Sequence, residues 1–146
     1  MSHAGATRSG AVTRALILAG GRATRFSADK TLARLHGRAL IEHVIERLLP
    51  QVGAIAISGD PDKYAHLGFP VLPDAAGLPP GPLAGIYTGL AAWPDDDLLT
   101  VAADMPLLPR DLAHRLRRAG RGHGCAYAGN GRRHALALWW APVRAP

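Results

Sequence analysis

The sequence has few of the residues that build disulfide frameworks, zinc sites or membrane spans. Its one cysteine, Cys125, cannot form an internal disulfide, and the chain contains no CxxC pair and no HExxH pattern. No apolar run approaches the ~18 residues of a membrane span, and the first ten residues have no apolar signal-peptide core. We therefore expect a cytoplasmic protein without a membrane partner, in which Cys125 is a small buried hydrophobic residue.

Aromatic residues are also scarce, at 5% of the chain, whereas basic residues are in excess. The 17 Lys and Arg residues outnumber the 11 Asp and Glu, and the formal net charge of +6 indicates an anionic partner. Nucleic acid, a membrane surface and a phosphorylated small molecule all fit that charge, but a stacking platform for single strands is poorly supported. The densest basic cluster is expected to be a solvated helix face and loop, and it comprises Arg115, Arg117, Arg118, Arg121, Arg132 and Arg133.

Length and hydrophobic content predict one folded domain. A chain of 146 residues that is 48% hydrophobic can bury a substantial core. Residues 1–12 are small and polar and are expected to be a disordered lead-in, so that residues 13–146 form the domain.

Apolar runs alternate with amphipathic segments in the way typical of an α/β protein with a parallel sheet flanked by helices. Strands are expected at 15–18, 54–57, 69–72, 98–103, 125–128 and 135–140. Helices are expected at 39–49, 62–67, from Pro82 onward and at 111–119, and Gly129-Asn-Gly131 is a hairpin-type turn signal. The segment 32–35 is interpreted as short and ending at Gly37.

The glycine loop after the first strand has the residues of a phosphate-binding segment. Gly20 and Gly21 allow positive φ and close approach of backbone N–H groups to an anion, while Arg25 and Lys30 add positive charge. The loop is not a Walker A motif, because Asp29 precedes Lys30, and the chain has no GxGxxG pattern. We expect the loop to hold a triphosphate, and the alternative is a glycine turn with solvated arginines.

Two carboxylates follow predicted strands, which is the edge of a parallel sheet where ligands bind. Asp74 follows strand 69–72, and Asp104 follows strand 98–103 directly before Met105-Pro106. A carboxylate at the position of Asp104 is well placed for a divalent metal and costly to bury without one. The alternative role for Asp104 is to cap the helix that starts near Pro109.

Gly85 and Gly89 leave one face of the helix that begins at Pro82 without side chains. Such a face suits either close packing on a strand or contact with a ligand base, and the sequence leaves both open.

Taken together, the segments LAGG, Arg25, Asp29-Lys30, PVLPD, GPLAGI and AADMPLL resemble the molybdenum cofactor guanylyltransferases. The resemblance runs from about Arg14 to Leu138 and implies a Rossmann-like three-layer α/β fold with a mostly parallel sheet. It implies transfer of GMP from GTP to molybdopterin, with Mg²⁺ as the cofactor and pyrophosphate as the leaving group. The Gly20-Gly21 pair resembles the guanine-using branch of these nucleotidyltransferases.

The resemblance also implies roles for individual residues. It places the GTP cradle on Leu18, Ala19, Gly20 and Gly21, with Lys30 on the phosphates. Asp74 matches a residue that takes part in nucleotide recognition, and Asp104 matches one that binds both GTP and Mg²⁺. We expect Arg25, Lys30 and Asp104 to be catalytic, because positive charge and a bound metal offset the charge that develops on the phosphates.

The sequence departs from the family pattern at three places. Phe26-Ser27 replaces the usual Met-Gly, Ser58-Gly59-Asp60 replaces a segment that commonly carries Asn, and the part after Leu138 is expected to be incomplete. The alternatives are therefore a nucleotide-binding module without turnover, or a cytidylyl or sugar-nucleotide transferase. A nucleic-acid binder is opposed by Asp74 and Asp104, which repel a polyanion, and we expect a monomer.

Overall fold

The computed structural model describes residues 12–19, 33–128 and 137–142. These residues form a six-stranded sheet with helices on both faces, and a separate two-stranded hairpin. The elements are β1 (Thr13–Leu18), β2 (Arg34–Leu35), β3 (Arg38–Ala39), α1 (Leu40–Leu48), β4 (Ala54–Ser58), α2 (Pro61–Tyr64), β5 (Val71–Leu72), α3 (Pro82–Ala92), β6 (Asp97–Ala102), α4 (Leu112–Gly120), β7 (Cys125–Tyr127) and β8 (Leu138–Trp140). None of the helices in these ranges is long and apolar enough to cross a membrane.

The strands of the large sheet lie in the order β5-β4-β1-β6-β8-β7. The first four are parallel, whereas β8 runs antiparallel to both β6 and β7. The central strands β1 and β6 are buried along almost their whole length, which explains why they read as continuous apolar runs. The expected α/β fold with a mostly parallel sheet is confirmed.

The core lies on both faces of this sheet because alternate strand residues point to opposite sides. On one face, Ala15 and Ile17 belong to the cluster that contains the apolar residues of α1 and α4. On the other face, Leu16 and Leu18 pack with Ile86 of α3. The result is the expected three-layer arrangement, with α3 alone on its face among the helices described.

The glycines of α3 face the sheet and let the helix approach it closely. A Cβ atom on Gly85 would lie 2.5 Å from Oγ of Ser58 and 3.1 Å from Cδ2 of Leu18. A Cβ atom on Gly89 would lie 2.7 Å from Cδ2 of Leu16. Of the two interpretations that the sequence left open, close packing on the strands is the one these contacts support.

The expectation that Cys125 is buried is wrong, because its side chain is exposed. Cys125 lies on β7, the edge strand of the sheet, where Ala126 packs toward the core and its two neighbours point away. A residue-type preference for burial cannot anticipate an outward position on an edge strand.

The prediction for segment 32–35 also omits a hairpin, because residues 34–39 form the paired strands β2 and β3. Its two-residue turn, His36-Gly37, has positive φ at both positions, 52° and 78°. Histidine stands where such turns usually carry Asn, so the turn lacks the Asn-Gly signature of these hairpins. Residues 1–11 of the expected lead-in and the Gly129-Asn-Gly131 turn lie outside the described residues.

Replacing Gly85 by alanine is expected to destabilise the protein, although the same change usually stabilises a helix by about 1 kcal/mol. The added methyl group overlaps Ser58 and presses on Leu18, and overpacking of this kind costs roughly 1–3 kcal/mol. Urea unfolding measures the change in the free energy of unfolding.

Ala91→Gly, at an exposed position of the same helix, is the control for this experiment. It should lower stability by about 1 kcal/mol through helix propensity alone. If Gly85→Ala proves as stable as the unmodified chain, close packing of α3 on the sheet does not account for this glycine.

Candidate functional site

The four parallel strands end side by side, and their carboxyl ends form one edge of the sheet. Leu18, the last residue of β1, pairs with Ser58 of β4 and with Ala102 of β6. Ser58 in turn pairs with Leu72, the last residue of β5. Residues that follow these four positions therefore emerge along a common line.

Backbone hydrogen bonds extend this alignment one residue beyond β1 and β6. The N–H of Ala19 donates to the carbonyl of Ser58 at 2.9 Å, and the N–H of Ala103 donates to the carbonyl of Leu18 at 3.2 Å. The starts of the two segments that leave β1 and β6 are thus fixed beside each other.

A crevice is expected between β1 and β6, because the chain leaves these neighbouring strands in opposite directions. After β1 it continues toward β4, and after β6 it continues toward β8 and β7 on the other side. In open α/β sheets such a reversal is the position where ligands bind. Ala19, which leads into Gly20, lies on one side of this position, and Ala103, which leads into Asp104, lies on the other.

The two carboxylates singled out in the sequence both lie at this edge. Asp74 and Asp104 each lie two residues beyond the end of a strand, β5 and β6 respectively, and both are exposed. Since three strand spacings of about 4.8 Å separate β5 from β6, the two strand ends are roughly 14 Å apart. The structure thus brings Asp104 next to the start of the glycine loop and leaves Asp74 further along the same edge.

The structure changes two expectations about Asp104, its burial and its possible role as a helix cap. No burial penalty has to be offset by a metal, because the residue is open to solvent. The N-cap position of α4 is occupied by Asp111, so Asp104 does not cap that helix. Among the described residues, none forms an ion pair or a hydrogen bond with the Asp104 carboxylate.

Tyr64 supports the start of the glycine loop, and the sequence reasoning missed it. Its side chain is buried, with 2% of the residue exposed, and its hydroxyl donates to the carbonyl of Ala19 at 3.3 Å. The short helix α2 that carries it is capped by Asp60, whose carboxylate accepts from the N–H of Asp62 at 2.9 Å. A single aromatic residue in the polar segment 60–66 was the available signal.

Thr88 has a comparable role for the segment that follows Asp74. Its Oγ1 accepts a hydrogen bond from the N–H of Ala75 at 3.1 Å and donates to the carbonyl of Ala84 at 2.7 Å. The residue next to Asp74 is therefore tied to α3. Nothing in the local sequence pattern distinguishes this threonine from an ordinary helix residue.

Four predicted site residues, Gly20, Gly21, Arg25 and Lys30, lie outside the described residues. Among the residues that are described, no group of three or more His, Cys, Asp or Glu side chains can hold a metal ion. A single exposed carboxylate near the start of the predicted phosphate-binding loop nevertheless fits Mg²⁺, which proteins bind through one or two carboxylates together with substrate phosphates.

Comparison with known proteins identifies relatives that span most of this chain. The family model described as MobA-like NTP transferase domain matches residues 15–145. The molybdenum cofactor guanylyltransferase of Acidiphilium cryptum is 44% identical over 143 residues, which cover 94% of this chain and 70% of that protein. The one from Cereibacter sphaeroides is 49% identical over 132 residues, which cover 85% of this chain and 67% of that protein. The chain thus spans about two thirds of the length of these relatives.

Solved structures with the same fold are more distant in sequence. Molybdopterin-guanine dinucleotide biosynthesis protein A from Archaeoglobus fulgidus matches with a TM-score of 0.70 at 23% identity, over 89% of this chain and 68% of that one. A CMP:2-keto-3-deoxy-manno-octonic acid synthetase complexed with CTP matches with a TM-score of 0.60 at 18% identity, over 79% of this chain and 48% of that one. These likenesses establish the fold, and the sequence matches establish the family. The chain belongs to the MobA-like NTP transferase family, and the relatives that it matches over most of its length are molybdenum cofactor guanylyltransferases.

Proposed function

We propose that this chain transfers GMP from GTP to molybdopterin, forming molybdopterin guanine dinucleotide and releasing pyrophosphate. The names of its relatives support this reaction. The structural observation that carries it is the pairing of β1 with β6, which sets Asp104 beside the start of the glycine loop. Phosphate-binding backbone and a carboxylate suited to a metal are the two components that nucleotidyl transfer requires.

The reaction needs little covalent work from the protein. A phosphate oxygen of molybdopterin attacks the α-phosphorus of GTP, the new P–O bond forms, and the bond to the β-phosphate breaks. Because the attacking phosphate is already ionised, no general base is required. Catalysis then consists of positioning the two phosphates and offsetting the charge that develops on pyrophosphate.

Each of these tasks has candidate residues in the sequence. Backbone N–H groups of the segment from Leu18 to Gly21 would hold the triphosphate, and Lys30 and Arg25 would offset charge on its β- and γ-phosphates. Asp74, further along the same edge, would contribute to recognition of the nucleoside.

Asp104 would hold Mg²⁺, and the bound ion would neutralise charge on the phosphate oxygens. The exposure of Asp104 and the absence of a contacting cation in the described ranges support this role. Since the carboxylate is one ligand only, the substrate phosphates would have to complete the site. We further propose that the chain works as a cytoplasmic monomer.

Asp104→Asn is expected to lower the rate of pyrophosphate release from GTP and molybdopterin by about 100-fold, because a neutral amide is a poor Mg²⁺ ligand. The measurement is pyrophosphate production in the presence of Mg²⁺. Asp62→Asn, which removes an equal charge from an exposed position on α2, is the matched control and should keep full activity.

Pyrophosphate production, together with measurements of GTP binding and of competition between GTP and CTP, gives three informative outcomes. Equal activity of both variants and the unmodified chain would contradict the role of Asp104. GTP binding without any pyrophosphate release would identify a nucleotide-binding module and overturn the proposed transfer. Stronger competition by CTP than by GTP would move the assignment to a cytidylyl transferase.

Tyr64→Phe is expected to lower the free energy of unfolding by about 1 kcal/mol and to raise KM for GTP more than it lowers kcat. The hydroxyl that it removes contacts the backbone at the entry to the glycine loop and no reacting atom is expected there. Urea unfolding and initial rates measure the two effects.

Tyr87→Phe is the control, since Tyr87 is 58% exposed on α3 and the change should alter neither quantity. A Tyr64→Phe variant that loses stability but keeps KM for GTP would show that the hydroxyl supports the fold and not the nucleotide loop.

A further inference from the structure

The helix α4 presents a basic surface on the side opposite its apolar residues. Its buried side chains are Leu112, Ala113 and Leu116. Its exposed face carries His114, Arg117 and Arg118 at three- and four-residue spacing, and Arg121 follows directly after the helix as its C-cap. Arg117, Arg118 and Arg121 belong to the basic cluster that the sequence predicts to be a solvated helix face and loop.

These four residues line a half-open cavity of about 410 Å³. The volume falls within the range of small-molecule sites, roughly 300–1,000 Å³. All four lining residues are exposed, so the cavity is open to solvent.

One of the lining arginines is held in place by a buried carboxylate. Nε of Arg117 lies 3.0 Å from Oδ2 of Asp97, whose side chain is only 9% exposed. Burial raises the pKa of Asp97, and the charge of Arg117 acts in the opposite direction. The ion pair uses the Nε edge of the guanidinium and restricts the motion of a side chain that would otherwise be free to move.

The cavity is remote from the crevice described above. Asp97 is the first residue of β6, whereas Asp104 lies beyond the other end of that strand. Seven residues of extended chain span roughly 20 Å. The basic cavity thus lies near the amino edge of the sheet, and the proposed transferase site lies at the carboxyl edge.

The charge of the cavity is only partly balanced within the described residues. Asp97 is the one carboxylate there that pairs with a lining residue, while the nearby pair of Arg115 with Asp111, at 4.0 Å, involves no lining residue. Basic side chains in the last turn do stabilise a helix end, but that effect requires no cavity. Clustered arginines whose planar groups can each bind two oxygens are suited to phosphate.

We propose that this cavity is a second anion site, which binds a phosphate-bearing small molecule. The volume of the cavity, about 410 Å³, suits a small ligand. The proposal does not depend on the transferase reaction, because it uses neither the glycine loop nor Asp104.

The test is a titration of the ¹⁵N-labelled full chain with inorganic phosphate at constant ionic strength, adjusted with sodium chloride and without divalent metal. We expect saturable shifts of the Nε–H resonances of Arg117, Arg118 and Arg121. Arg118→Gln combined with Arg121→Gln should weaken the affinity by about 10-fold or more, because two charged contacts are lost. The titration of the same sites should be unchanged in Asp104→Asn.

Arg110→Gln combined with Arg115→Gln is the matched control, since it removes the same charge from exposed positions that do not line the cavity. If both double substitutions weaken phosphate binding equally, net positive charge alone attracts the phosphate, and the proposal is overturned. Shifts confined to Ala103 and Asp104, or linear shifts without saturation, would do the same. Tighter binding of a short DNA duplex, with a steep salt dependence, would replace the small ligand by nucleic acid.

Discussion

The parallel pairing of β1 with β4 on one side and β6 on the other is the constraint on which the rest of the structure depends. Every residue from Arg14 to Leu18 has a partner in both neighbours. Because side chains alternate between two buried faces, a shift of one residue would exchange the residues packed under α1 and α4 with those under α3. The register is therefore fixed, and with it the position at which the glycine loop begins.

The two edges of the sheet use charge differently. At the amino edge, charged groups pair with one another: Arg14 lies 3.2 Å from Asp96 and 4.3 Å from the ring centroid of Trp93, and Asp97 pairs with Arg117. At the carboxyl edge, Asp74 and Asp104 are exposed and make no such pairs among the described residues. Charges that stabilise the fold and charges that are available to a ligand thus occupy opposite ends of the same strands.

Much of this could be predicted from the sequence, because the signals involved are local. Apolar runs bounded by glycine, proline and aspartate located β1, β4 and β6 to within one or two residues. The rule that ligands bind at strand carboxyl ends then directed attention to Asp104. The rest depends on contacts between distant segments: Tyr64 reaches a carbonyl 45 residues away, and Arg117 meets a carboxylate carried by β6. The exposure of Cys125 depends on its strand being at the edge, which no local pattern records.

The position of β8 has a consequence for how the chain is made. Although β8 follows both β6 and β7 in the sequence, it lies between them, with Trp139 paired to Leu99 on one side and to Ala126 on the other. During translation, the outer edge of β6 therefore stays bare until residues 138–140 have left the ribosome. An unpaired hydrophobic strand edge is a template for association with other chains. The nascent polypeptide is thus open to such association until β8 inserts.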